Sequence, residues 1–336
     1  MVASWPGDAA MQGPATGRLD LVVAVVGPTA TGKSDLAIAL ALRLGGEVVG
    51  ADASQLYRGM DIGTAKVPEA EREGVPHHQL DVLDVTQEAS VAAYQRHARA
   101  DIEAVLARGR LPVVVGGSGL YVRAALDRLE IPPTDPEVRA ALQQRLDHEG
   151  VAALLAELRA ADPSAAAAIE PNNGRRVVRA LEVIALTGRP FSATMPTREF
   201  VRPTVLVGLR TDREALDARI ERRTARMFDD GLVDETRGLV DLGLREGRTA
   251  SRAVGYAQAL AVIDGTTTLE DAVADTALRT RRLVRRQESW FGADPRVSWF
   301  DPFAHGPDGL REQVLEHVER AAWSARRSSR DNDSHG

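Results

Sequence analysis

The stretch Gly27, Pro28, Thr29, Ala30, Thr31, Gly32, Lys33 and Ser34 constrains this chain more than any other. It follows the apolar run Leu21 to Val26 and precedes the helical-looking segment Asp35 to Leu44. That is the strand, loop and helix setting that a G-x-x-x-x-G-K-[ST] phosphate loop requires. Glycines at 27 and 32 let the backbone wrap closely around an anion, and amide N–H groups at a helix N-terminus point at it. Lys33 would reach the terminal phosphates, and the Ser34 hydroxyl would hold a magnesium ion. The motif predicts a site for a di- or triphosphate and leaves open whether the phosphates belong to a nucleotide.

The 336 residues give room for one large or two moderate domains, and 44% hydrophobic with 27% charged residues is a soluble globular composition. No apolar stretch approaches membrane-span length. Residues 1–20 lack the charged start and apolar centre of a signal peptide and read as a flexible tail. The absence of cysteine excludes disulfides, zinc-thiolate sites and thiol nucleophiles, and fits the cytoplasm. A net charge of −6 argues against indiscriminate coating of nucleic acid, though not against a local basic groove. The only lysines are Lys33 and Lys66. In a chain that otherwise uses arginine, both positions suit a compact ammonium facing phosphate, with a surface lysine retained by chance as the equal alternative for Lys66.

Downstream, Glu47 to Asp52 reads as a short strand ending in an acid. Ligands of open α/β sheets sit at the carboxyl ends of strands, so Asp52 should lie near the phosphates. Ala53 to Lys66 is polar and glycine-rich, the character of a functional loop. The pair His77 and His78 has no third ligand at metal spacing and reads as structural. Leu80 to Val85 suggests a strand or strand end, Val91 to Arg108 a helix, and Leu111 to Gly116 a buried parallel strand running into Gly117, Ser118 and Gly119. Ser118 is either a helix N-cap or a hydroxyl at the same sheet edge as Asp52. Prolines 132, 133 and 136 mark a break, after which residues 131–200 read as a helical insertion. Thr204 to Leu209 returns to strand character. Arg219, Arg222, Arg223 and Arg226 share one face of the helix that follows, and Val297 to Phe300 is a last strand. Five arginines between Arg279 and Arg286, with Trp290 and Phe291 close behind, suit contact with a phosphate backbone. The polar end, 324–336, reads as disordered. The sum is an α/β fold: a phosphate-loop NTPase-like core (21–130 and 201–323) with a parallel sheet flanked by helices, plus a helical insertion domain.

Several of these stretches together resemble one family, the bacterial tRNA dimethylallyltransferases (tRNA isopentenyltransferases acting on adenosine-37). They are the phosphate loop, Asp52 to Lys66, His77 to Asp81, Val115 to Tyr121, Arg176 to Glu182, Ala253 to Tyr256 and Thr280 to Trp290. The likeness runs from about residue 21 to 301, and the second and last stretches are its most specific parts. The chain departs from the pattern with Asp52-Ala53 for Asp-Ser, Ser118 for threonine, and Asn172-Asn173 for Asn-Asp.

The resemblance implies transfer of a dimethylallyl group from dimethylallyl diphosphate to the N6 amine of an adenosine beside the anticodon, in a monomeric enzyme with Mg2+. It implies that residues 27–34 hold the diphosphate. Asp52 would then be the general base, with an outer magnesium ligand as its alternative role, and Ser118 would bond the target base or that carboxylate. Arg252 is the candidate second diphosphate clamp. The tRNA would meet Asp52, Ala53, Ser54, Gln55 and Ser118 at the reacting base, with Arg139, Arg175, Arg176, Arg281, Arg285 and Arg286 on its backbone. Without the resemblance, the phosphate loop and the Arg219 to Arg226 face read as a small-molecule or nucleotide kinase, and a non-catalytic nucleic-acid binder is a further alternative.

Overall fold

Valine-rich runs become the strands because β-branched side chains pack well on a pleated, buried surface. The computed structural model describes residues 20–194 and 198–333. Its strands are β1 (Val22–Val26), β2 (Gly46–Gly50), β3 (His77–His78), β4 (Leu111–Gly116), β5 (Thr204–Leu209) and β6 (Val297–Phe300). They form one all-parallel sheet in the order β3-β2-β4-β1-β5-β6. The helices are α1 (Lys33–Leu44), α2 (Val91–Ala107), α3 (Gly119–Leu126), α4 (Pro136–Glu149), α5 (Val151–Ala161), α6 (Pro163–Ala168), α7 (Gly174–Thr187), α8 (Arg213–Asp229), α9 (Leu232–Asp241), α10 (Tyr256–Ile263), α11 (Leu269–Gly292) and α12 (Gly306–Asp333).

The chain divides into two compact units. The first holds the sheet and runs to Ala89, then over 97–122 and from Arg202 onward. Its core packs β1, β4 and β5 against Leu36, Ile38 and Leu40 of α1 and Leu310, Val314 and Val318 of α12. No residue of β1 is more than 1% exposed. Each buried valine contributes roughly 1.5–3 kcal/mol, so the loop after β1 hangs from a firmly held strand. A satellite cluster of Tyr57, Met60, Phe228, Leu232, Leu239 and Tyr256 anchors the long loop after β2.

The second unit comprises 90–96 and 123–201 and has its own core of Leu154, Leu158, Val177 and Leu181. Asp135 caps α4 and Asn173 caps α7, each accepting from backbone N–H groups of the first turn. The expected insertion of 131–200 is wider than the composition change suggests. Asp127 bridges Phe200, and Gln95 Nε2 donates to Leu129 O, so both flanks belong to it.

Two further expectations are corrected. Leu80 to Val85 contributes only an isolated bridge, Tyr57 to Leu83, while the edge strand is His77–His78. The end from Ser324 is helical as far as Asp333, because an established helix gains one bond per added residue and alanine and arginine favour it. The tail 1–19 and residues 334–336 lie outside the described residues. Among the described residues no helix is long and apolar enough to cross a membrane.

The parallel order lays the carboxyl ends of β2, β4 and β1 side by side. Ala51 N donates to Val115 O at 2.7 Å, and a Cβ on Gly116 would stand 2.2 Å from Ala51 O. Glycine at 116 is therefore what lets the end of β4 lie against the end of β2. Gly116→Ala is expected to destabilise the protein by about 3 kcal/mol, read from the urea midpoint; a midpoint equal to wild type would refute that close approach.

Candidate active site

The loop after β1 turns through residues with positive φ, Gly27 (134°), Ala30 (66°) and Gly32 (84°), and α1 begins at Lys33 with no side-chain cap. The first-turn N–H donors of α1 are thus left for a ligand, as an anion site requires. Thr31 Oγ1 and Lys33 Nζ both donate to Pro28 O, at 2.8 and 2.6 Å. Burial pushes the Lys33 ammonium down to about 7; Asp52 pulls it back up and Arg223 adds a smaller downward push.

A cleft of about 630 Å³ opens over this loop. Its polar wall includes Lys33, Ser34, Asp35, Asp52 and Gln55, and its apolar wall includes Ile62, Val67 and Met227. The opposite side is the arginine face of α8, Arg219, Arg222, Arg223 and Arg226. Arg219 Nε donates to Ala30 O at 3.0 Å, and Arg223 Nη1 to Thr29 Oγ1 at 3.3 Å. Arg223 Nε is buried without a partner, and burial lowers the pKa of its guanidinium. These cations converge on the loop and leave donors for an anion. Arg252, the sequence candidate for this clamp, is exposed in the turn Ala250–Arg252 and does not line the cleft. The arginines that line the cleft are those of the α8 face.

Asp52 is half-buried at the cleft wall, its Oδ1 accepting from Ser54 N at 3.0 Å. Ser118 meets both readings: it takes the N-cap position of α3, its carbonyl accepting from Val122 N at 3.0 Å, and its Oγ accepts from Ala53 N at 3.3 Å, bringing it beside Asp52. Gln55 lines the same wall and donates its amide to Thr64 O. Lys66 is a correction. Its ammonium is buried and donates to Tyr57 O (2.9 Å), Asp61 Oδ1 (2.5 Å) and Asp81 Oδ1 (2.5 Å). Three donors are thereby used, so Lys66 ties the Asp52 to Lys66 loop together and holds no phosphate. His78 Nε2 pairs with Glu47 Oε2 at 2.7 Å, and no cluster of three His, Cys, Asp or Glu residues suited to a metal occurs among the described residues.

Two residues escaped the sequence reading. Gln287 of α11 accepts from Thr29 N and donates to Gly117 O, joining the phosphate loop to the turn before Ser118. Glu235 accepts from Asp61 N and Ile62 N and from the Tyr256 hydroxyl, fixing the far end of the loop. Only the motif position of Gln287, inside Thr280 to Trp290, hinted at either.

The basic candidates separate by energetics. Arg139 binds Glu182 Oε2 at 2.7 Å together with Arg179, and Glu182 is fully buried. Stripping a partner from a buried charge costs roughly 3–5 kcal/mol, so the Arg139 guanidinium is anchored within its own unit while about half of its side chain stays exposed. Arg281 pairs with the exposed Glu221 at 2.7 Å. Such a pair is worth at most about 1 kcal/mol and exchanges readily for another anion. Arg175, Arg176, Arg285 and Arg286 are exposed.

A parallel α/β core with a phosphate loop, an acid at a neighbouring strand end and a cationic helix lining the same cleft defines a phosphate-loop protein. A family model described as IPP transferase matches residues 55–294. Relatives called tRNA dimethylallyltransferase include one from Nocardia farcinica, 63% identical over 280 residues (83% of this chain, 90% of the relative), and one from Streptomyces avermitilis, 59% identical over 299 residues (89% and 96%). The solved tRNA isopentenylpyrophosphate transferase of Bacillus halodurans is 40% identical, with a TM-score of 0.69 over 93% of this chain and 99% of its own. A eukaryotic dimethylallyltransferase described as acting on tRNA is 25% identical, with a TM-score of 0.78 over 91% of this chain and 80% of its own. The chain belongs to the tRNA dimethylallyltransferase family.

The lowered pKa of Lys33 gives a pH prediction. In the free protein the ammonium is half neutral near pH 7, and a bound diphosphate would hold it charged. Binding of inorganic diphosphate should therefore take up a proton and weaken by about tenfold per pH unit above pH 7, by calorimetry and relative to Lys33→Met. Equal pH slopes in the two proteins would contradict this.

Proposed function

We propose that the protein transfers a dimethylallyl group from dimethylallyl diphosphate to N6 of adenosine-37 in tRNA, releasing diphosphate. The observation that carries the reading is that Asp52 and the phosphate-loop cations line one cleft. The loop amides, Lys33, Arg219 and Arg223 bind the diphosphate and stabilise the charge that grows on it as the allylic C–O bond breaks. The N6 lone pair, delocalised into the ring, forms the new C–N bond as Asp52 accepts its proton. Ile62, Val67 and Met227 shield the allylic carbon from water. Ser118, Ala53, Ser54 and Gln55 border Asp52 where the base must enter, and the anticodon loop makes extruding that base cheap. Arg175, Arg176, Arg285 and Arg286 contact phosphates, which position the RNA without reading its sequence.

The oxygen donors Ser34, Asp35 and Asp52 on one wall fit a hard cation such as magnesium. When bound, it would supply further positive charge at the leaving diphosphate. The protein acts as a monomer in the cytoplasm, where its RNA substrate is found.

Asp52→Asn keeps the oxygen that accepts from Ser54 N and loses the base. Its kcat should fall by about 10³-fold while diphosphate affinity stays within about threefold of wild type; near-normal turnover would remove Asp52 from that role. Replacing Arg285 and Arg286 by alanine should weaken tRNA binding and flatten its log–log salt slope by roughly 1.5, with a smaller change for Arg281→Ala. An unchanged slope in filter binding would mean that α11 presents only a solvated face.

A further inference from the structure

Gln287 is 7% exposed and bonds both the phosphate loop and the turn that follows β4. Its Oε1 accepts from Thr29 N at 2.9 Å, and its Nε2 donates to Gly117 O at 3.1 Å. A Cβ at position 117 would lie 2.2 Å from that nitrogen, so the approach depends on glycine there. Beyond Thr29, the chain of bonds reaches Arg223 through the threonine hydroxyl. Beyond Gly117 lies Ser118, whose N–H donates to Ala51 O and whose hydroxyl accepts from Ala53 N. Asp52 is held between those two contacts. One side-chain amide therefore links the segment that holds the leaving group to the turn that flanks the base.

We infer that Gln287 is a positioning residue for the transfer, setting the separation between the bound diphosphate and Asp52. The inference rests on the reaction proposed above. In that reaction the C–O bond breaks with its electron pair going to the diphosphate, the C–N6 bond forms, and the amine proton goes to Asp52. The three reacting centres must be in line and close, and misplacement by an ångström is costly. Thr29 N–H and Gly117 C=O make opposite demands, and a primary amide meets both with one acceptor and one donor. A carboxylate of the same length accepts only, and a thioether of similar length is a weak acceptor with no donor. Gln287 also shares α11 with Arg281, Arg285 and Arg286, so the helix proposed to receive RNA phosphates bears directly on the phosphate loop.

The test compares wild type with Gln287→Met and Gln287→Glu. It measures steady-state transfer to unmodified tRNA, calorimetric binding of inorganic diphosphate and thermal melting. Gln287→Met should lose about 100-fold in kcat while diphosphate affinity and both KM values stay within about threefold. Gln287→Glu should be poor near pH 7.5 and regain activity relative to wild type toward about pH 5.5, because burial at this position favours the neutral carboxyl, which again offers one acceptor and one donor. That recovery is read within one protein and is not mimicked by a general loss of fold. A kcat within threefold of wild type for Gln287→Met would overturn the inference. So would a kcat loss matched by an equal loss of diphosphate affinity, or a Gln287→Glu ratio flat with pH. A wild-type protein that prenylates no tRNA would overturn the reaction itself, and with it the role of Gln287.

Discussion

Parallel pairing of β2, β4 and β1 is the constraint on which the site depends. Strands that run the same way end on the same edge, so the phosphate loop, the Gly116 to Ser118 turn and Asp52 are delivered together without any long-range design of loops. The spacing is then closed by backbone: Ala51 bonds Val115 O through its N–H and receives Ser118 N at its carbonyl. Side chains refine this frame. Ser118 Oγ, Gln287 and Arg223 each bond a residue of a different segment, and all of those segments border the cleft.

The electrostatics of the cleft follow from burial. Lys33 and Arg223 are partly buried in the cleft wall, which lowers both pKa values, and Asp52 opposes the shift in each. A buried cation with spare donors is costly until an anion arrives, so ligand binding gains from relieving that cost. The two lysines illustrate how context divides one chemistry. Lys33 has one carbonyl partner, Pro28 O, and faces the cleft, whereas Lys66 spends its ammonium on three oxygens of its own loop.

Local pattern carried much of this fold. The strands at Leu111–Gly116 and Thr204–Leu209 and the phosphate loop before α1 follow from apolar runs, because a strand buried on both faces leaves that mark, and the short apolar run Val297–Phe300 marks the last strand. The edge strand His77–His78 left none, since two half-buried residues have no periodicity. Nor did the length of α12, where polar composition masks adequate helix propensity. In the site, Asp52 and Ser118 were legible as strand-end residues. The cationic clamp was not, because Arg252 and Arg223 look alike in sequence and only the packing of α8 against the phosphate loop separates them. The anchoring of Arg139 was hidden for a related reason: its partner Glu182 lies on another helix, and pairing across helices is invisible to spacing along one.

The central claim is that the cleft holds a prenyl diphosphate whose phosphates are the leaving group. The most direct measurement is the mass of unmodified tRNA after incubation with the protein, magnesium and dimethylallyl diphosphate, with ATP as a parallel donor. The account predicts a gain of one dimethylallyl group, mapped to the adenosine beside the anticodon and absent with ATP. An unchanged tRNA mass, together with phosphate transfer or hydrolysis from ATP, would contradict it and return the phosphate loop to a nucleotide.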